Sequence, residues 1–330
     1  MDIGITPRVV PVYRDKYILD KNKLENKYNL CVEQLESSNI IDNVTIMQIL
    51  QDNDRSTIVL GYDMKINKCM IYKHIAKRYM SNISKFRKIR EIYILSIIKH
   101  KNIIKLDRII ETPREIIMVM PYYEDGDLYK SVINKSLDDT QIYYIMFKLL
   151  KTVKYLHYFG ICHRDIKCEN ILLNKNEPIL CDYDYATVID MKNNSSVGTM
   201  MYAAPELLLG KSYYGTEVDV YSLGVLFYIL LFGKAPFGSN KDEILRECHM
   251  GLDLYTKHHI SIDMYLLLCK MLNFDKNKRW TISKCLQSHV FNKYRKCEIE
   301  TTINHHVHTC KYISELSAWC SNEFQNSKVY

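Results

Sequence analysis

Residues 163–186, HRDIKCENILLNKNEPILCDYDYA, constrain this chain more than any other stretch. Two short apolar runs, 171–173 and 178–181, flank the polar turn Asn174-Lys175-Asn176-Glu177, a pattern that predicts a hairpin. Asp165, Lys167 and Asn170 precede the first strand, and Asp182 comes after the second. A hairpin brings its ends together, so Asp165, Asn170 and Asp182 are expected to converge on one small volume. Two carboxylates, an amide and an ammonium group suit a site that handles a phosphate, a divalent metal and a hydroxyl. Oxygen ligands hold magnesium, an ammonium offsets phosphoryl charge, and a free carboxylate accepts a proton.

The rest of the chain is long enough to support such a site. At 330 residues it has ample length to bury a core, as one large domain or two lobes. Apolar content of 47% and charged content of 25% are those of a soluble globular protein. The formal charge of +7 permits acidic partners but identifies neither nucleic acid nor membrane, and neither is expected. Eleven cysteines lack a CxxC pair or regular spacing, so they read as reduced thiols rather than a disulfide framework. The first residues carry no basic segment leading into a long apolar run, and the apolar run 218–232 is too short to span a bilayer. A cytoplasmic or nuclear monomer is the expectation.

Residues 1–44 offer one helical candidate, 21–35, and no recognisable chemistry, so they read as an extension that caps the first lobe. From Ile46 to Tyr72 the pattern is that of strands and hairpins, VTIMQIL, STIVLGY and KCMIYKHI, and Lys73 closes the third strand. A helix with a broad apolar face is expected over 81–99 and carries Glu91, and two strands, LDRIIE and EIIMVM, come next. Five strands and one helix make a small α+β lobe over 45–120. From 121 to 292 the composition is helical. Asp138 and Asp139 lie in a capping stretch before a long helix whose residues Ile142, Ile145, Met146, Leu149, Leu150, Val153 and Leu156 share one face. Further helices are expected at 218–232, 241–250, 264–272 and 282–288, with a deep cleft between the lobes as the natural ligand site. Residues 293–330 form a second extension, with a helix candidate at 312–324. Its His305, His306, His308 and Cys310 match no standard zinc spacing.

HRDIKCEN with DYD beyond it resembles the catalytic loop and metal-binding motif of eukaryotic protein kinases. KCMIYK, ending in Lys73, and REIYIL, with Glu91, are similar to the family's phosphate-gripping lysine and its helix partner. The resemblance implies a bilobal α+β fold over about 45–292 and transfer of the γ-phosphate of ATP, with Mg2+, to protein hydroxyls. Asp165 would be the catalytic aspartate, Lys167 would steady the phosphoryl group and mark a Ser/Thr acceptor, and Asn170 and Asp182 would hold magnesium. Val59, Met120, Pro121, Tyr123 and Leu172 would join Lys73 and Glu91 at the nucleotide. His163 would pack and hydrogen-bond rather than act as a base. GTMMYAAPE resembles the end of an activation segment, in which Thr199 would bond Asp165 and Lys167, and Glu206 would pair with Arg279. Asp219 matches the aspartate that holds the catalytic-loop backbone. Arg164 would form the pocket for a phosphorylated Ser195, implying an upstream activating kinase. Asp127 and Glu169 match positions that favour basic residues in the substrate. The wording YAAPELL, DVYSLGV and GKAPF is most similar to the calmodulin-dependent and AMP-activated kinase group.

Several positions depart from the family. With Val59 aligned to the valine of the glycine-rich loop, Asp52, Asp54 and Thr57 fall on its three glycines and Ser56 on its aromatic tip. No shift supplies a glycine, because residues 44–60 contain none. Carboxylates there would oppose a triphosphate. Ile71 stands for a small alanine beside adenine, Pro121 for the usual hinge glutamate, and Asp184 for the glycine of DFG. The resemblance therefore leaves two readings: a Ser/Thr kinase with an unusual nucleotide grip, and a pseudokinase that binds partners without phosphotransfer.

Overall fold

A computed structural model describes residues 18–27, 29–35, 43–53, 56–189, 198–213, 215–252 and 260–296. Asp54, Ser195, the His305–Cys310 cluster and the helix candidate at 312–324 lie outside the described residues. The chain divides into two compact units: residues up to 80 with 106–120, and residues 81–105 with 121 onward.

The first unit is built on a six-stranded sheet. Its strands are β1 (Cys31–Gln34), β2 (Val44–Asp52), β3 (Ser56–Asp63), β4 (Lys68–Ala76), β5 (Arg108–Glu111) and β6 (Glu115–Pro121), in the order β1-β5-β6-β4-β3-β2. The β3–β4 hairpin turns through Asn67 at φ 51°, a left-handed conformation that asparagine tolerates. Alternation along the strands sends Val59, Met70, Tyr72, Ile110, Ile117 and Val119 into one buried cluster. Beside it, the Tyr72 hydroxyl donates to Asp63 at 3.0 Å and Arg108 pairs with the same carboxylate. Burial alone would raise the Asp63 pKa, but the Arg108 hydrogen bond and its other donors win and hold it below the usual value.

β1 corrects the helix expected over 21–35. Among the described residues of that stretch, helix is confined to 21–27, and Asn29 lies beyond it at φ 51°. Leu30 and Val32, two residues apart, are both buried, so a period of two wins locally over helix propensity. β1 then adds in parallel to β5, Cys31 opposite Arg108 and Gln34 opposite Glu111. Glu111, fully buried, fastens this arm: its carboxylate accepts from the Ile18 N–H at 2.6 Å and pairs with Lys77 at 2.8 Å. The Lys77 ammonium also donates to the Thr112 carbonyl at 2.6 Å. The residues before 45 are thus partly woven into the sheet.

The second unit is mainly helical. It contains α1 (Asn82–Ile97), α2 (Leu128–Ile133), α3 (Asp139–Tyr158), α4 (Pro205–Leu208), α5 (Thr216–Phe232), α6 (Lys241–Met250), α7 (Ile262–Met271), α8 (Ile282–Gln287) and α9 (Asn292–Lys296). Two small ladders complete it: β7 (Ile161–Cys162) with β10 (Thr187–Val188), and β8 (Ile171–Asn174) with β9 (Glu177–Leu180). The capping box of α3 joins Asp138 to Gln141, and its apolar face is buried from Ile142 to Leu156. The β8–β9 turn places Lys175 and Asn176 at φ 50° and 68°, the two left-handed residues that a two-residue hairpin demands. Asn102 locks that hairpin from outside, its side-chain amide donating to Pro178 O at 2.8 Å while its own carbonyl accepts from Leu180 N–H at 2.9 Å. α5 is apolar on every side and buried from Val218 to Leu230, which fits a central packing helix. No helix among the described residues is long and apolar enough to cross a membrane.

The Glu111 clasp is open to test. Glu111→Ala leaves the Lys77 ammonium buried without its carboxylate, and denaturant unfolding should show a loss of about 3–5 kcal/mol.

Candidate active site

Asp165 and Asn170, two of the three residues expected to converge, are brought together. β7 ends at Cys162, the loop 163–167 crosses to a tight turn at Cys168–Asn170, and β8 leads away. The carbonyl of Asn170 accepts from Cys181 N–H at 2.9 Å, so the residue before Asp182 is tied to the end of this loop.

Asp165 is the hub. The Asn170 amide donates to its carbonyl at 2.8 Å and to Oδ2 at 2.9 Å, and the Lys167 ammonium sits 3.0 Å from Oδ2. Thr199 closes the other side: its N–H donates to Asp165 Oδ1 at 3.2 Å, and its hydroxyl accepts from Lys167 at 3.0 Å. Gly198 is required here, because at φ +92° a Cβ would sit 2.9 Å from the Arg164 carbonyl. Both nitrogens of His163 are engaged: Nε2 donates to the Cys181 carbonyl at 3.1 Å and Nδ1 accepts from Asp165 N–H at 3.3 Å. That leaves the imidazole no role as a proton acceptor toward a substrate.

The loop backbone is held from beneath by Asp219 of α5, fully buried. Oδ1 accepts from Arg164 N–H at 2.7 Å, and Oδ2 from His163 N–H and His157 Nε2, both at 2.9 Å. Arg164 is held at φ 66°, outside the usual range for a residue with a side chain, and donates through Nε to Tyr185 O and through Nη1 to the Tyr213 hydroxyl. Side-chain atoms of His157, Cys162 and Asp219 lie within 4.8 Å of one another. Both Asp219 oxygens already accept N–H groups, and burial pushes the Cys162 thiol well up, so the group is structural. Farther out, Arg279 and Glu206 form a buried two-point ion pair at 2.7 and 3.0 Å.

Asp182 itself is left-handed, at φ 61°. The next residue, Tyr183, is fully buried with its ring edge-on to His163, centroids 4.7 Å apart, and its hydroxyl finds no partner among the described residues. Asp184 is met by Lys88 of α1, whose ammonium lies 2.9 Å from Asp184 Oδ1 and 3.0 Å from Glu91 Oε2. Sequence reasoning missed Lys88. Its spacing three residues before Glu91 is visible in the sequence, but its contact with Asp184 is non-local.

Among the residues expected at the nucleotide, Lys73 and Ile71 lie on one face of β4. The strand register puts Ile58 opposite Lys73 and Leu60 opposite Ile71, while Val59 faces Tyr72 and the buried cluster. The residue on the lysine face is therefore Ile58, one position before Val59. Moving the loop alignment by that residue puts Gln51, Asn53 and Ser56 on the glycine positions and removes Asp52 and Asp54 from them. Asp52 is exposed and accepts from the Thr57 hydroxyl at 2.7 Å, and Asn53 caps the turn by accepting from Ser56 N–H at 3.0 Å. Met120 and Pro121 end β6, half-buried. In the second unit Tyr123 is half-buried, with burial pushing its phenol up, and Leu172 of β8 bridges to Asp127.

The comparisons agree with this geometry. A family model described as Protein kinase domain matches residues 45–291. Calcium-dependent protein kinase 5 of Plasmodium berghei (strain Anka) is 33% identical over 261 residues, 76% of this chain and 46% of that protein. CBL-interacting serine/threonine-protein kinase 10 of Arabidopsis thaliana is 30% identical over 262 residues, 77% of this chain and 54% of the relative. Serine/threonine-protein kinase kin-29 of Caenorhabditis elegans is 36% identical over 202 residues, 60% of this chain and 25% of the relative. The chain spans about half the length of the first two relatives.

The orphaned phenol beneath the loop gives a prediction. Tyr183→Phe removes a buried hydroxyl that has no partner among the described residues, so thermal denaturation should show a gain of about 1 kcal/mol.

Proposed function

The chain belongs to the protein kinase family, and from that premise we propose that it is a serine/threonine protein kinase that transfers the γ-phosphoryl group of ATP to a protein hydroxyl. The observation that carries this reading is the Asp165 cluster, in which one carboxylate is fixed by Asn170, Lys167 and Thr199 at once. A fixed carboxylate suits general-base work, since it needs no reorganisation as the hydroxyl loses its proton. In the transfer, the acceptor oxygen attacks the γ-phosphorus, the bond to the β–γ bridging oxygen breaks, ADP leaves, and the hydroxyl proton passes to Asp165. The Lys167 ammonium, poised between Asp165 and Thr199, offsets charge on the moving phosphoryl group.

Asn170 and Asp182 are the residues we assign to magnesium. Both hydrogens of the Asn170 amide go to Asp165, which leaves its carbonyl oxygen as the atom for a cation. With the Asp182 carboxylate this is the hard oxygen donor set that magnesium prefers. When bound, magnesium neutralises phosphate charge. We assign Lys73, Glu91, Met120, Pro121, Tyr123 and Leu172 to the nucleotide, with Ile58 in place of Val59. The kinase domain is taken as 45–292, flanked by two extensions and acting as a monomer. Arg164 is the residue we assign to a phosphorylated Ser195, which would order the activation segment after an upstream kinase has acted.

A scaffold role without transfer is the second reading, and the lack of any glycine between 44 and 60 is what favours it. Incorporation of labelled phosphate from ATP and magnesium into a Ser/Thr peptide decides between them. The enzyme reading expects transfer by the natural chain and a fall of about 100-fold or more in Asp165→Asn. Equal signal from both proteins, or no signal together with no thermal shift from ATP, overturns it.

A further inference from the structure

Asp184 is the residue of this site that the family pattern does not account for. It stands two positions after Asp182, where a glycine is expected, and on its own it adds a negative charge beside a site proposed to hold a triphosphate. Its Oδ1 is enclosed and receives no hydrogen bond of good geometry among the described residues, so the Lys88 ammonium at 2.9 Å is what compensates it. The same ammonium lies 3.0 Å from Glu91 Oε2, one turn along α1. Lys88 is only 15% exposed and the Glu91 side chain 2%, so solvent screens this triangle poorly. Its formal charge, one ammonium and two carboxylates, equals that of Glu91 alone.

The neighbours of Asp184 are pinned as well. Tyr183 is buried against His163, while Tyr185 lies under the Arg87 guanidinium at 5.1 Å and accepts from Arg164 through its carbonyl. Two successive α1 residues, Arg87 and Lys88, thus hold two successive residues of the segment beyond Asp182. We infer that Lys88 is a positioning residue: it ties the helix that carries Glu91 to the segment that carries Asp182, and Asp184 is the counter-charge that keeps it from neutralising Glu91. This rests on the kinase reading above for its effect on ATP, though not for the ion triangle itself.

The consequence runs against intuition. Asp184→Gly restores the family's residue, yet it frees Lys88 to pair with Glu91 alone and should impair the protein. Lys88→Gln should impair it too, by taking from the Asp184 carboxylate the ammonium that compensates it. Removing both charges should repair much of the damage. The test uses the full chain in four forms: natural, Asp184→Gly, Lys88→Gln and the double variant. Their melting temperatures and their KM for ATP and kcat are measured well below each melt. Each single change is expected to lower the melting temperature by several degrees and to raise KM for ATP about 10-fold, an effect on folded protein that a merely structural role would not produce. The double variant should return to within about 3-fold of the natural KM and recover most of the melt. Additive losses in the double variant, or an Asp184→Gly chain that binds ATP more tightly than the natural one, overturn the inference. If the natural chain transfers no phosphate, the kinase reading falls, and the melting temperatures alone still decide whether Lys88 and Asp184 act as a pair.

Discussion

The buried carboxylate of Asp219 is the fixed point on which the candidate site depends. It has no contact with solvent, and its two oxygens take the backbone N–H groups of His163 and Arg164 together with the His157 ring. Those bonds hold Arg164 in a left-handed conformation that its side chain disfavours, and that bend aims Asp165 toward Asn170, Lys167 and Thr199. A charge this deep is tolerated only because three donors surround it. The apolar helix α5 supplies the rigid base, so the geometry of the Asp165 carboxylate is set by the core of its own unit.

Much of this is legible in the sequence because the signals are local. The turn at 174–177, the offsets among Asp165, Lys167 and Asn170, and the capping stretch before α3 all act within a few residues. Each of them folds as its pattern implies. What is not legible depends on partners far along the chain. β1 reads as helix because four residues with polar neighbours carry little strand signal. Its pairing with β5, and the Glu111 carboxylate that fastens it, are absent from any local window. Residue type alone favours Val59 over Ile58. The strand ladder, which counts back from Lys73 through the turn at Asn67, selects the neighbour instead.

That one-residue correction changes the electrostatics of the proposed phosphate grip. Residue type places Asp52 and Asp54 on glycine positions, opposing a triphosphate; the corrected register puts the neutral side chains of Gln51, Asn53 and Ser56 there. The cost that remains is conformational, because these residues approach phosphate less closely than glycine. Asp184, the other apparent obstacle, is met by Lys88. Two of the departures from the family are thereby eased: Asp52 and Asp54 leave the glycine positions, and Asp184 has a cation beside it.

On the proposed reading, this site still holds ATP with magnesium. Calorimetric titration of ATP into the full chain tests it directly, with and without magnesium and against Asp182→Asn. Saturable binding is expected in the range of about 1 μM to 1 mM, dependent on magnesium and weakened at least about 10-fold by Asp182→Asn. No heat of binding at millimolar ATP, or binding indifferent to both magnesium and Asp182, would contradict it.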